Sequence, residues 1–252
     1  MSRLFQALPI TLALTALSIV TASCGSSTAP AAQVRFVNAI QDTAQYGTAL
    51  DIDVAGTKAF GPVTFQGFQP LSGYTNVASG GVALQGLQAG TTTGVFVADV
   101  TFKASTQYTL VATGFAISNR VVIILAPDDN TTPANGTEKF RVMNASPSGP
   151  AGVDIYIVPV GSVTPIAPPA TISNVAYRNA SAYTKVAYNP NFEQGFNYTM
   201  FVTATGTTSP ILLTQTLSAG SASAGAIRTL VLTDQQNVDQ LNQSAIVLND
   251  LN

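Results

Sequence analysis

The chain contains few of the side chains that carry enzyme chemistry. None of its 252 residues is a histidine, and one is a cysteine. Histidine is the most common acid–base group and metal ligand near neutral pH, so a serine or threonine nucleophile here would need a lysine or a carboxylate as its base. The lysines lie in segments without a recognisable catalytic motif, and Glu138 and Glu193 are the two glutamates. We therefore expect no catalytic residues, no cofactor and no enzymatic activity.

The charge of the chain argues against another class of function. Lysine and arginine number 10, aspartate and glutamate number 12, and charged residues make up only 9% of the chain. The basic residues form no cluster along the sequence. Because nucleic-acid binding needs several phosphate-neutralising side chains on one face, we expect no nucleic-acid partner.

Oxygen ligands suited to calcium gather in one segment, where Asp128, Asp129 and Asn130 are followed by Asn135 and Glu138. Their spacing matches no EF-hand loop. Aspartate, asparagine and proline are also ordinary turn formers. We interpret residues 128–138 as a linker and predict no metal site in it.

The single cysteine, Cys24, has the most specific surroundings in the chain. Arg3 gives a positive start, an uncharged apolar run extends from Leu4 to Val20, and small residues precede the cysteine. This is the layout of a secretory signal. A cysteine directly after it resembles the processing box of bacterial lipoproteins, in which the cysteine becomes the acylated first residue. The resemblance predicts a signal peptide over residues 1–23 and lipidation at Cys24.

Two alternatives stay open, because Thr21 stands where such boxes usually carry an aliphatic residue. An ordinary signal peptide cut near Ser23 would give a secreted protein with a free thiol. An uncleaved segment would be an anchor, although about 17 residues broken by Pro9 are marginal for a membrane span. With lipidation, we expect an exported, membrane-anchored protein of the bacterial cell envelope, on its periplasmic or cell-surface face. Residues 24–33, which are rich in small polar residues and alanine, are then a flexible tether.

The rest of the sequence repeats itself. Four segments recur in the same order, each with alternating apolar and polar or amphipathic residues or a short aliphatic run. Arginine, asparagine and alanine recur in register in the first pair. The pairs are Val34–Ala39 with Phe140–Ala145, Leu50–Val54 with Val153–Ile157, Gly73–Ala78 with Ala182–Ala187, and Tyr108–Val111 with Arg228–Val231.

This pattern predicts an all-β fold. Short runs rich in β-branched residues, separated by glycine-containing turns, are typical of antiparallel β-sandwiches. We place the first sandwich domain at residues 34–127 and the second at residues 139–252, with the linker between them.

Two charged pairs recur with the repeats. Arg35 and Asp51 in the first copy answer to Arg141 and Asp154 in the second. Each pair could join neighbouring strands, either as a binding site or as a structural ion pair. We favour the structural interpretation, because a guanidinium and a carboxylate on adjacent strands stabilise a sheet locally.

The repeated segments resemble the bacterial envelope family catalogued as domain of unknown function 4397. Its recurrent phrases are similar to residues 140–147, 50–56 and 108–114, and the exit at residues 128–130 also fits. The resemblance implies an immunoglobulin-like (Ig-like) fold in tandem modules of lipoproteins. It implies no established activity.

The function predicted from the sequence is a non-catalytic structural or protein-interaction role. Its partners would be membrane lipid, through acylated Cys24, and an envelope protein. The alternative is an extracellular binding module for a glycan or a small ligand, in which exposed aromatic rings form the platform. Tyr46, Tyr74, Tyr183 and Tyr188 are the candidates for such a platform.

Overall fold

The computed structural model describes residues 30–42, 49–134, 136–159, 166, 168–187, 197–218, 225–235 and 243–250. The predicted signal peptide, Cys24 and most of the predicted tether lie outside these residues. Within the described ranges, no helix has the length and apolarity that crossing a bilayer requires.

The described residues contain seventeen β-strands, nine of them in the first repeat. The strands of the first repeat are β1 (Ala32–Ile40), β2 (Leu50–Val54), β3 (Thr57–Val63), β4 (Phe68–Gln69), β5 (Thr75–Val77), β6 (Gly80–Gln88), β7 (Gly94–Phe102), β8 (Gln107–Phe115) and β9 (Arg120–Pro127). Those of the second repeat are β10 (Thr137–Asn144), β11 (Gly152–Pro159), β12 (Ile172–Ala176), β13 (Thr184–Ala187), β14 (Asn197–Ala204), β15 (Ile211–Ser218), β16 (Ile227–Asp234) and β17 (Gln243–Asn249).

Both repeats have the same topology. An inner sheet has the order β4-β1-β8-β9 in the first repeat, with β5 also paired to β1, and β13-β10-β16-β17 in the second. An outer sheet has the order β3-β2-β6-β7 in the first repeat and β12-β11-β14-β15 in the second. The four segments matched in the sequence thus lie in equivalent strands or directly before them.

The predicted all-β fold class is confirmed, with one difference in strand direction. β1 and β8 run parallel, as do β10 and β16. The other strand pairs of the described residues run antiparallel. Alternation along a strand shows which side chains share a face but not the direction of its neighbour. The parallel pairs were therefore invisible to the sequence pattern.

Each sandwich encloses an apolar core between its inner and outer sheets. Phe36 of β1 and Ile52 of β2 are fully buried in the first core. Phe140 of β10 and Ile155 of β11 hold the equivalent places in the second. Each side chain of this size that leaves water contributes about 1.5–3 kcal/mol to folding.

The two inner sheets pack against each other and form a third core. Val37 and Ala39 of β1 meet Met143 of β10 and Ala145, which directly follows it, in one buried cluster, which we call the interdomain core. Residues on both faces of the inner sheets are therefore buried, and every residue of β16 is buried. The molecule has four layers, in the order outer, inner, inner, outer sheet.

The repeated asparagine of the first motif joins the two sheets of each sandwich. The Nδ2 atom of Asn38 donates to the carbonyl oxygen of Val63, on the edge strand of the outer sheet, at 3.1 Å. The Nδ2 atom of Asn144 donates to the carbonyl oxygen of Val175 at 3.0 Å. Both asparagines are fully buried. This bond explains why the same polar residue recurs inside two apolar strands.

A glycine in β8 provides a test of the close pairing between β8 and β9. Gly114 has a φ of +107°, and a Cβ atom there would overlap the carbonyl oxygen of Arg120 on β9. We expect Gly114→Ala to lower the free energy of unfolding by about 1–3 kcal/mol or more, measured by chemical denaturation. Gly81→Ala is the control, because a Cβ atom at Gly81 meets nothing within 4 Å. Equal losses in the two variants would contradict the proposed overlap.

Candidate functional site

Two arginines face each other's repeat across the interdomain core. Arg35 lies on β1 between Val34 and Phe36, so strand alternation turns its side chain away from its own sandwich core. Arg141 has the same position on β10. Their exposed fractions are 3% and 2%, which is unusual for arginine.

Each arginine has its closest counter-ion on the opposite repeat, and Arg35 also lies 3.6 Å from Asp128 of its own repeat. A terminal nitrogen of Arg35 donates to Oδ1 of Asp250 at 2.5 Å, and one of Arg141 donates to Oδ1 of Asp128 at 2.6 Å. Asp128 directly follows β9 of the first repeat, and Asp250 directly follows β17 of the second. The ion pairs are therefore exchanged between the repeats.

Hydroxyl groups complete the shell around both carboxylates. Oδ2 of Asp128 accepts from Thr109 at 2.8 Å and from Tyr74 at 2.7 Å. Oδ2 of Asp250 accepts in the same way from Thr229 at 2.7 Å and from Tyr183 at 2.8 Å. We call the whole group the arginine–aspartate cluster: Arg35, Tyr74, Thr109, Asp128, Arg141, Tyr183, Thr229 and Asp250.

Backbone bonds fix the two carboxylates and the two guanidinium groups. The N–H of Asp128 donates to the carbonyl of Gln107 at 2.8 Å, which continues the β8–β9 ladder by one residue. Asp250 is held in the same way at the end of β17. Arg35 also donates to the carbonyl oxygen of Asn249 at 3.1 Å, and Arg141 to that of Pro127 at 3.0 Å. Each guanidinium thus binds the end of a strand as well as its carboxylate.

The electrostatics of the cluster favour charged arginine and neutral tyrosine. Burial lowers the pKa of Arg35, but the attraction of Asp250 and of its other neighbours raises it by more, so the net pKa is raised. Burial raises the pKa of Tyr74 well above its usual range, and the negative charge of Asp128 adds to this. Burial likewise raises the pKa of Tyr183. Both phenols therefore keep the protons that they donate.

This arrangement leaves the carboxylates occupied by protein groups. Two guanidinium groups balance two carboxylates, and both oxygens of each carboxylate accept hydrogen bonds. The aspartate side chains are 0% exposed. The cluster can hold two sheets in one relative position, because each arginine would lose its closest carboxylate if the repeats separated.

The predicted pairs Arg35 with Asp51 and Arg141 with Asp154 are wrong. β1 and β2 belong to different sheets of the first sandwich, and so do β10 and β11 in the second. The arginines point toward the other repeat, whereas the aspartates lie in the outer sheets. The prediction failed because recurrence in both copies was read as contact within each copy.

The two outer-sheet aspartates have a structural role of their own. Oδ2 of Asp51 accepts the N–H of Gly90 at 3.0 Å, and Oδ2 of Asp154 accepts that of Gly206 at 2.8 Å. Both glycines lie in the turn between the last two strands of the outer sheet and have positive φ. The bond to Gly90, together with Lys58, lowers the pKa of Asp51. Each aspartate thus stabilises the equivalent turn in its own repeat.

The sequence analysis overlooked Asp250 although a signal for it exists. Asp128-Asp129-Asn130 follows an aliphatic strand, and Asp250-Leu251-Asn252 follows another. Matching the segments that follow these two strands would have added a fifth repeated pair. It would also have placed an aspartate at equivalent ends of both inner sheets, within reach of the repeated arginines.

The residues considered for calcium have other partners. Asp128 belongs to the cluster, and the side chain of Thr131, then that of Lys139, lowers the pKa of Asp129 to about 2. Nδ2 of Asn130 donates to Oε1 of Gln107 at 2.6 Å. In the part of the chain that the structure describes, no group of three or more metal-ligating side chains is present. Asn135 lies outside that part.

The tyrosines considered as a sugar platform divide into two groups. Tyr74 and Tyr183 bind carboxylates with their hydroxyl groups, and their rings lie under Arg35 and Arg141, at 5.4 and 4.6 Å from the guanidinium carbons. Tyr46 and Tyr188 lie outside the described residues. Tyr74 and Tyr183 thus serve the interdomain contact.

Two grooves border residues 178–183 of the second repeat. A polar groove of about 400 Å³ is lined by hydroxyl and amide side chains, among them Ser173, Asn174 and Ser181. A second groove of about 610 Å³ separates residues 178–183 from residues 123–127 at the edge of β9. We call the second one the β9 groove.

Comparison with known families gives a match over the first repeat and the start of the second. Residues 32–156 match the family described as a domain of unknown function, DUF4397. The chain resembles this family. The DUF4397 match runs from β1 through the whole first repeat to β11, so it includes Asp128, Arg141 and the linker between them. The predicted resemblance to this family is thereby confirmed over residues 32–156.

Comparison with solved structures and curated proteins adds little to the DUF4397 match. Ten chains of solved structures match. One is CBMbc, of family CBM26, from Eubacterium rectale Amy13K in complex with maltoheptaose, with 12% identity and a TM-score of 0.24 over 86% of this chain and 95% of that chain. No curated protein matches the chain. The fold described above rests on the strand order and register of this chain.

Removal of one buried guanidinium tests the cluster. We expect Arg35→Met to lower the free energy of unfolding by about 3–5 kcal/mol, because Asp250 would stay buried without its counter-ion. Combining it with Asp250→Asn should restore part of that loss. Lys58→Met is the control: Lys58 is 53% exposed and pairs with Asp51, so about 0–1 kcal/mol is expected. Equal losses for Arg35→Met and Lys58→Met would refute the role of the cluster.

A buried ion pair outside the arginine–aspartate cluster predicts a pH dependence. Glu138 is 1% exposed and lies 4.0 Å from Arg228. Burial raises the pKa of Glu138, although Arg228 opposes this. The stability that protonated Glu138 contributes is then fully present below its unfolded pKa of about 4.3. This contribution is lost as the pH rises through its folded pKa. Relative to the Glu138→Gln variant, the wild type should become less stable from pH 4 to 7 in denaturant titrations; a constant difference would contradict this.

Proposed function

We propose that the protein is a non-catalytic, lipid-anchored component of the bacterial cell envelope. Its two sandwich repeats form one rigid unit that presents a protein-contact surface at the end of a tether from Cys24. Each part of this proposal has its own support.

The anchor is supported by the sequence around Cys24. The cysteine follows an apolar run of signal-peptide length and precedes a stretch rich in small residues. Each buried methylene of an acyl chain contributes about 0.8 kcal/mol to membrane binding, and two or more chains hold a protein stably. An acylated Cys24 would therefore keep the exported protein on the membrane.

The rigid unit is supported by the exchanged ion pairs, which are the observation that carries the proposal. Arg35 with Asp250 and Arg141 with Asp128 join the repeats beside the interdomain core. The linker adds to this, since Nζ of Lys139 donates to the carbonyl of Asp129 at 3.0 Å. An assembly of this kind is suited to act as a spacer or as a fixed contact surface, because its two halves keep their relative position.

A glycan-binding role is the second candidate, and the polar groove is the observation that favours it. Hydroxyl and amide groups of the kind that line this groove can bond to sugar hydroxyls. Tyr177, whose ring lies 5.0 Å from the guanidinium carbon of Arg178, is an aromatic residue next to the lining residues in sequence. The protein-contact role ranks first because Tyr74 and Tyr183 are committed to the cluster.

Substitution of the cysteine tests the anchor. We expect the wild type to enter the detergent phase in a phase-partition experiment on whole cells, and Cys24→Ser to stay in the aqueous phase. Ser26→Ala, two residues further along the predicted tether, is the matched control and should partition like the wild type. Partition of all three proteins into the aqueous phase would disprove lipidation and favour secretion.

A further inference from the structure

The two repeats contribute equivalent positions to the interdomain contact, but the side chains at these positions differ. Phe68 pairs with Val37 of β1, and Ala180 pairs with Met143 at the equivalent place on β10. Both Phe68 and Ala180 pack against the interdomain core. The first repeat thus supplies a benzyl group where the second supplies a methyl group. The β9 groove lies beside that methyl group.

A second difference lies two residues before this position. Gln66 and Arg178 are equivalent, since both have positive φ and donate their backbone N–H to the repeated asparagines at 2.8 Å. Nε2 of Gln66 crosses to the second repeat and donates to Thr233 and to the carbonyl of Asp234, each at 3.0 Å. The side chain of Arg178 is exposed instead. The side chain of Gln66 therefore covers the interdomain contact on one side, whereas the equivalent side near Arg178 is left open.

The open side carries the free edge of a strand. β9 pairs with β8 and with no other strand of the described residues. Because the N–H of Asp128 points to β8, strand alternation directs those of Ile124 and Ala126 to β8 and those of Ile123 and Leu125 outward. Pro127, which has no N–H, falls on the outward side, as expected for an edge strand. All five residues from Ile123 to Pro127 line the groove.

The charge at the rim of the groove is positive. Arg141 lines the groove, but Asp128 neutralises it. Arg178 forms no ion pair with any carboxylate of the described residues. The groove therefore combines an apolar site, a free strand edge and one uncompensated guanidinium.

We propose that the β9 groove binds an extended segment of a partner protein. The segment adds a strand to the edge of β9, bonding to the backbone of Ile123 and Leu125. It inserts an aromatic side chain beside Ala180, in the place that Phe68 fills on the other side, and an adjacent acidic residue pairs with Arg178. The inference deepens the protein-contact part of the proposed function, whereas the lipid anchor is independent of it.

The probe for this groove is a displayed library of random heptapeptides, selected on the full-length protein in detergent. We expect the selected peptides to share an aromatic residue next to aspartate or glutamate. Their synthetic versions should bind at least tenfold more weakly to Ala180→Phe, which supplies the missing ring, and to Arg178→Glu. Ala83→Phe, at an exposed position of the outer sheet, is the matched control and should bind like the wild type.

Hydrogen exchange locates the bound peptide on the strand edge. The amides of Ile123 and Leu125 should exchange more slowly in the complex, whereas that of Ala126, already bonded to β8, should change little. If Ala180→Phe has a lower melting temperature than the wild type, Arg178→Glu carries the test alone, because its side chain is exposed.

Three results would overturn the inference. The first is a selection that yields no peptides with an aromatic residue next to an acidic one. The second is equal binding of the peptides to Arg178→Glu and to the wild type. The third is unchanged hydrogen exchange at the amides of Ile123 and Leu125. Neutral oligosaccharides that compete at this groove would assign it to a glycan instead. None of these results affects the partition of Cys24→Ser, so a failure of the groove is distinguishable from a failure of the anchor.

Discussion

Two guanidinium groups buried between the inner sheets have their counter-ions on the opposite repeat, and the four-layer arrangement depends on this exchange. A buried ion pair is a poor source of net stability, because the desolvation of both charges offsets most of their attraction. It is a strong source of specificity, since any other placement of the repeats would leave charges buried without partners. The apolar interdomain core stabilises the contact between the repeats, and the arginine–aspartate cluster determines their relative position.

The cluster also relates several features that would otherwise look independent. The linker carries Asp128, so its first residue is part of the contact between the domains. Tyr74 and Tyr183 resemble part of a ligand platform in the sequence, yet their hydroxyl groups are committed to carboxylates. The parallel pairing of β1 with β8 places Arg35 beside Thr109, which orients both the guanidinium and Asp128. Sheet topology and the chemistry of the contact are thus connected.

The sequence predicted the fold class and the repeat well, and the partners of the charged residues poorly. Alternation in segments such as Leu50–Val54 reports a buried face directly, and four ordered matches report two similar units. Alternation does not report which sheet a strand joins, so Arg35 was assigned to Asp51 on a different sheet. It also could not show that Ala180 leaves space that Phe68 fills, because this follows from comparing two packed environments. Lipidation of Cys24 stays a prediction.

The separation of the exchanged partners along the chain affects the order of assembly. Arg35 and Asp250 are 215 residues apart. A first repeat made without the second already contains Asp128, 3.6 Å from Arg35, but lacks the carboxylate that Arg35 binds at 2.5 Å. Until the last strand is in place, the first repeat therefore lacks the closer counter-ion of Arg35 and has an uncovered apolar sheet face. An uncovered apolar sheet face makes a protein prone to aggregate, so the second repeat protects the first from within the same chain.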